Sequence, residues 1–270
     1  MNTPLLSYVD LLAGFILVLL NAGLSLLLNL GVGRSLVVAA VRGTVQLLLV
    51  GLVLKFVFGS SSLWLILGVA LVMTLLATYE VWSRQKTRFS GIWGVGIGAV
   101  ATSVAVVLIL TYTVVAIVDT EPWYTPQLII PLVGIVLGSV MNGVGISLNV
   151  FNSGLVRERA AIEAQLALGA TRQRALRPLQ RAALRSGFIP IVNQMSAAGV
   201  ITMPGMMTGQ ILAGMEPYEA AKYQILVLFL LAAAAGFGAL VATSLAIRRA
   251  SDERDRLRLD RLAGEGQSVE

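Results

Sequence analysis

The sequence predicts an all-α polytopic membrane protein of about seven transmembrane helices, with the amino terminus outside and the carboxyl terminus cytoplasmic. Three observations predict it. Hydrophobic residues make up 57% of the 270-residue chain and charged residues only 13%, beyond the apolar share of a soluble domain. Seven stretches approach the roughly 20 apolar residues that a helix rising about 1.5 Å per residue needs to cross about 30 Å of hydrocarbon. Lys and Arg gather in alternate loops, which the positive-inside rule assigns to the cytoplasm.

The stretches are Leu5 to Leu30, Leu36 to Phe58, Leu63 to Trp82, Ile92 to Val118, Leu128 to Val150, Phe188 to Ala213 and Tyr223 to Ile247. No basic residue precedes the first, Arg34 being the earliest cation, so it reads as a retained span rather than a cleaved signal peptide. Arg34 follows span one, and Arg84, Lys86 and Arg88 follow span three. Seven arginines from Arg157 to Arg185 follow span five, and Arg248 and Arg249 follow span seven. The opposite loops carry GSSS at 59–62, then Asp119 and Glu121, then Glu216 and Glu219 with Lys222 as their one cation. Trp82, Trp93, Trp123 and Tyr124 stand at span ends, where aromatic rings anchor at the headgroup level. The net charge of +6 is therefore assigned to topology and lipid contact, not to nucleic acid. Residues 1–250 form one transmembrane domain. Residues 251–270 read as a charged cytoplasmic tail, a short helix that frays into disorder.

Residues 153–187, between spans five and six, are too polar to span and too regular for a plain loop. Leu155, Ile162 and Leu166 lie at helical spacing, leaving Arg157, Glu158, Arg159 and Glu163 for solvent. Gly169 is a natural helix stop, Thr171 can cap a second helix, and Pro178 should interrupt or restart it. Two short helices along the cytoplasmic face are expected. They serve either as a basic anchor on anionic lipid or as a docking site for a cytosolic partner.

Composition removes several chemistries. The chain has no cysteine and no histidine, which excludes disulfides, thiolate nucleophiles, imidazole bases and zinc sites of the Cys/His type. Its one Lys-Thr pair, Lys86 and Thr87, has Glu80 and Gln85 where a phosphate-binding loop requires glycines.

Polar groups inside spans are the candidates for a substrate path. A mid-bilayer charge costs about 2.5 to 3.5 kcal/mol on insertion scales, so Arg42, one turn from Gln46, and Glu80 stand out. Arg42 either pairs with Glu80 or snorkels to the membrane surface. Asn142, Asn149, Asn193 and Gln194 supply amides in spans five and six, for interhelical bonding or for substrate contact. Span six also holds Met203, Pro204, Gly205, Met206, Met207, Thr208 and Gln210. Pro204 deprives the Val200 carbonyl of its helical donor, and broken helices at membrane depth line polar cavities; Gly205 with Gly209 suits a packed kink equally. The metal, if any, is unknown, with Glu80, Met206 and Met207 as weak ligand candidates. Gly94, Gly98, Gly134 and Gly138 read as helix-packing positions.

These residues carry a resemblance. Glu163, Ala164, Leu168, Gly169 and Ala170 resemble the EAA-type loop of ABC transporter permeases. VRGTVQLLLVGLVLK from 41, PLVGIVLGSVMNGVGISLN from 131, ALGATRQRALRP from 167 and MPGMMTGQILAGMEPYEAAKYQI from 203 resemble the FetB-type permease family, over about residues 35 to 250. That family holds bacterial iron-export permeases and plant permeases linked to aluminium tolerance. The resemblance implies two copies of this permease in the inner (plasma) membrane with two copies of a cytosolic P-loop ATPase. ATP and Mg would bind that ATPase, and this chain would bind no cofactor. It implies outward transport of iron or another metal. It also makes 153–187 the coupling segment, with Glu163, Ala164, Leu168, Gly169 and Ala170 received by the ATPase and Arg172, Arg174 and Arg177 meeting it electrostatically. Three other functions stay open beside it: export of an organic substrate such as a nucleotide sugar, ATP-independent secondary transport or channel activity, and intramembrane lipid modification. The last lacks histidine, cysteine and any aspartate-rich metal motif.

Overall fold

The computed structural model describes residues 7–60, 62–116, 124–252 and 254–264, in two units that divide between Ser61 and Ser62. The first unit is a helical pair, α1 (Tyr8–Leu27) and α2 (Gly33–Phe58). Ser7 starts α1 with a reciprocal cap: its Oγ accepts from the Val9 and Asp10 N–H groups, and its own N–H donates to Asp10 Oδ2 at 2.8 Å. The link turns through Asn29 and Gly31 at positive φ, and Val32 N–H donates back to Ser25 Oγ at 3.2 Å. Gly33 then passes close to α1, where a Cβ would stand 2.9 Å from the Ala22 carbonyl oxygen. Outward leucines such as Leu47 and Leu52 stay exposed, as on a surface solvated by lipid.

The second unit contains α3 (Leu63–Ser83), β1 (Thr87–Phe89), α4 (Ile92–Ala116), α5 (Pro126–Arg157), α6 (Arg159–Ala167), α7 (Arg172–Ala197), α8 (Gly205–Leu212), α9 (Pro217–Ala250) and β2 (Leu262–Gly264). Its centre is α5 against α7 and α9, with α4 on α9 and α3 on α5 and α4. Small residues allow this approach, since packing rather than hydrophobicity holds helices together in lipid. Gly143 abuts Ala235, Gly238 fits between Val140 and Val144, and Gly236 lies under the Phe188 ring. Gly187 of α7 meets Ser147 and Gly143 of α5, leaving no room for a side chain. Gly94, Gly98 and Gly134 meet Phe89, Val81 and Met73 respectively, but Gly138 has no neighbour at its Cβ position.

Among the described residues, six helices rather than the expected seven are long and apolar enough to cross a membrane: α1 to α5 and α9. The expected span from Phe188 to Ala213 is not one helix. Its first part belongs to α7, which begins sixteen residues earlier and carries Arg172, Arg174, Arg177, Arg181 and Arg185 ahead of its apolar part. After Ala197 the chain leaves the helix at Gly199, where φ is +82°, and Gly199 N–H donates to the Thr202 carbonyl at 2.9 Å. Pro204 therefore does not kink a helix; it caps the start of α8, its carbonyl accepting from Thr208 N–H at 3.0 Å and Thr208 Oγ1 at 3.2 Å.

Two further expectations change. Pro178 lies within α7 without interrupting it, so the polar segment contributes one short helix, α6, and half of a long one. The tail after Ala250 is not a fraying helix among its described residues. It makes a hairpin closed by a bond from Arg258 N–H to the Ala250 carbonyl at 2.8 Å. It then turns through Leu259–Arg261 into β2, which pairs antiparallel with β1 in the register Arg88 to Ala263. Leu262 and Phe89 are buried together with that pairing. The tail beyond Gly264 and the loop residues Asp119, Glu121 and Trp123 lie outside the described residues.

Candidate coupling surface and polar cavity

α5 runs without interruption from its polar end into the arginine-rich segment, then breaks at Glu158 and restarts as α6. Ile162 is the one fully buried side chain of α6, so the rest of that helix faces outward. Glu163 pairs with Arg159 one turn earlier at 2.9 Å, with both groups exposed; such pairs contribute at most about 0.5 kcal/mol. Gly169, at φ +86°, reverses the chain. Thr171 then caps α7, its Oγ1 accepting from Arg174 N–H at 3.4 Å. At the tip of this turn Leu168 is 88% exposed. An apolar side chain held out on a turn between two rigid helices is the usual form of an anchor seeking a pocket.

Behind the turn, Arg172 reaches the C-terminal hairpin, with its NH1 donating to the Asp252 carbonyl at 3.4 Å and its Nε 3.6 Å from Asp255. The carboxyl of Asp252 is held below the usual carboxylate range, first by the Arg256 N–H and further by Arg254 N–H and the Arg256 side chain. Arg258 does the same to Asp260 through a two-pronged bond of 2.8 and 2.9 Å. Deeper in, Asn152 is fully buried and donates to Gln85 Oε1 at 3.3 Å and to the Thr87 carbonyl at 3.0 Å, tying α5 to the link between α3 and β1.

The unit also holds a half-open pocket of about 220 Å³ between α5, α7 and α9. Asn142 and Gln194 from the sequence candidates reach it, and Ser139, Gly138, Gly187 and Pro190 line it as well. Ser139 Oγ donates to the Leu231 carbonyl at 3.1 Å. The lining is neutral and half apolar, with Ile135, Ile191 and Leu231 beside the amides and the hydroxyl. Pro190, not Pro204, is the proline at the cavity: inside α7 it offers no N–H to the carbonyl four residues before it. The sequence signal was available in the pair Gly187 and Pro190, one turn apart. Hydropathy alone did not single them out.

The remaining candidates are dispersed. Asn149 and Gln210 each bury a carbonyl oxygen without a partner among the described residues, and Asn193 is exposed on α7. Arg42 and Gln46 belong to the first unit. Glu80 pairs with Arg84 at 2.7 Å at the end of α3, whereas Gly205, Met206 and Met207 sit on α8, with Met203 in the break before it. No group of three or more acidic residues converges among the described residues.

Comparison with known proteins adds the following. The model of an uncharacterised protein family, UPF0014, matches residues 8–250. A UPF0014 membrane protein of Synechocystis is 34% identical over 90% of this chain and 94% of its own length. The probable iron export permease protein FetB of Escherichia coli is 32% identical over 80% of this chain and 81% of its own. The protein ALUMINUM SENSITIVE 3 of Arabidopsis thaliana is 31% identical over 86% and 83%. No solved structure matches.

Proposed function

The chain belongs to the UPF0014 family of multi-pass membrane proteins, and from that premise we propose that it is the permease subunit of an ABC-type exporter in the inner membrane. Two copies work with two copies of a cytosolic P-loop ATPase, which binds the ATP and Mg. The observation that carries this reading is the turn from α6 to α7, which presents Leu168 and Gly169 between α6, the continuation of α5, and α7, while α5 and α7 themselves line the pocket. Closure of the ATPase pair pushes on Glu163 to Ala170, and Arg172, Arg174 and Arg177 hold the contact. Because α5 and α7 flank that push, it changes access to the space between them and α9.

The test is co-purification. Glu163→Lys combined with Gly169→Leu is expected to abolish recovery of the ATPase and ATP-driven transport while leaving the permease in the membrane. Survival of both functions refutes the assignment.

Iron is the proposed cargo, supported by the name of the Escherichia coli relative, a probable iron export permease. A second reading, an organic polar substrate, is favoured by the neutral amide and hydroxyl lining of the cavity. ATP-dependent uptake into inverted vesicles separates them: iron accumulation supports the first, and stimulation of ATP hydrolysis by organic candidates but not by iron supports the second.

A further inference from the structure

We propose that the arginine basin beside the start of α7 is a binding site for a phosphate-class anion. The basin has a volume of about 460 Å³ and gathers Arg172, Arg248, Arg254, Arg256 and Arg261 around one described carboxylate, Asp252. That carboxylate is already engaged. Its Oδ1 accepts from the Arg254 and Arg256 N–H groups, both at 2.9 Å, and its Oδ2 accepts from Arg256 Nε at 3.1 Å. Asp252 is thus drawn into its own turn and offsets one of the five charges, that of Arg256. Arg248 and Arg254 make no ion pair among the described residues. Arg172 stands 3.6 Å from Asp255, beyond the roughly 2.7 to 2.9 Å of a charge-assisted bond.

Like charges so close repel one another; the fold ties down Arg261, while Arg248, Arg254 and Arg256 are exposed. Arg261 donates through NH1 to the carbonyls of Arg249 at 3.0 Å and Ser251 at 3.3 Å, and β2 anchors the far side of the hairpin to β1. Preorganised guanidinium forks match tetrahedral oxyanions, which accept two parallel bonds from each fork. More than one negative charge is needed to balance this set, which favours phosphate over a single carboxylate. A neighbouring basin of about 810 Å³ shares Arg172 and Arg248 and adds Arg174 and Arg177, so a ligand carrying a second phosphate can extend into it. The site lies where the apolar run of α9 ends, at the depth of lipid headgroups. The phosphate can therefore come from an anionic lipid or from a soluble phosphate.

The experiment places the full-length protein in nanodiscs of phosphatidylcholine, with or without phosphatidylglycerol, and counts retained lipid by native mass spectrometry. A parallel arm titrates inorganic pyrophosphate into the phosphatidylcholine discs and follows Tm. Retained phosphatidylglycerol identifies a lipid ligand, and a rise in Tm with pyrophosphate identifies a soluble one. Arg248→Gln with Arg254→Gln is expected to weaken that binding by about tenfold or more, the loss of at least one hydrogen bond to a charged group. Arg181→Gln with Arg185→Gln removes the same charge outside the basin and is expected to leave binding intact. Should the glutamine pair misfold, Arg248→Lys with Arg254→Lys keeps the charge, removes the forks and is expected to weaken binding severalfold. Binding of neither probe, equal loss in the two glutamine pairs, or unchanged binding in the lysine pair overturns the proposal.

Discussion

At the scale of single residues, the most demanding position is Asn152. It is wholly enclosed, and its amide holds both Gln85 and the Thr87 carbonyl. Asn152→Leu preserves approximate volume but strands two acceptors, a loss of about 1 to 3 kcal/mol. Thermal unfolding in detergent is expected to show that destabilisation, and an unchanged midpoint refutes the role given to the amide. Residue chemistry was also where the sequence was most legible. Gly169 and Thr171 act as stop and cap because positive φ and N-terminal capping are local properties of those side chains. Asn152 was missed because its value depends on a partner from the link between α3 and β1, which no local pattern announces.

At the scale of elements, spans one to five and seven were readable because each is a helix built on an uninterrupted apolar run. The run from 188 to 213 was misleading for the same reason: hydropathy is blind to a left-handed Gly199 and a capping Pro204 within equally apolar sequence. Three-residue strands leave no periodicity, so β1 and β2 were invisible. Their pairing makes two predictions. Leu262→Asp buries a charge against Phe89 and is expected to release the hairpin, seen as faster hydrogen exchange at Ser90, whose N–H donates to the Arg261 carbonyl at 2.8 Å. Acid does this more gently. Asp252 and Asp260 are depressed in the folded arm, so the stability they contribute is present above the ordinary carboxylate value near 3.9 and is lost as pH falls below it. Exchange protection of the Arg258 N–H, which closes the hairpin, is expected to decline in that window and to be flat between pH 6 and about 8.

At the scale of the whole molecule, the turn proposed for coupling and the pocket proposed for cargo occupy different places. The exposed turn at Leu168 is separated along α5 and α7 from the cavity at Asn142 and Gln194. Asn142→Ala with Gln194→Ala is accordingly expected to lower transport by about tenfold, roughly 1.4 kcal/mol, while ATPase recovery stays normal. Loss of both together would place coupling and cargo in one site. The turn between α6 and α7 was visible in the sequence as a polar interruption of an apolar chain. The cavity was only half visible, since amides in a membrane helix announce polarity without saying which of them converge.

The pairing of β1 with β2 has a consequence for biosynthesis. Almost the entire second unit is translated between Thr87 and Leu262, so a ribosome has already delivered α4 through α9 before Phe89 can be covered. Until then the nascent protein displays an aromatic side chain beside the membrane that chaperones and membrane proteases can grip. Completion of a two-strand ribbon of three residues each would end that exposure.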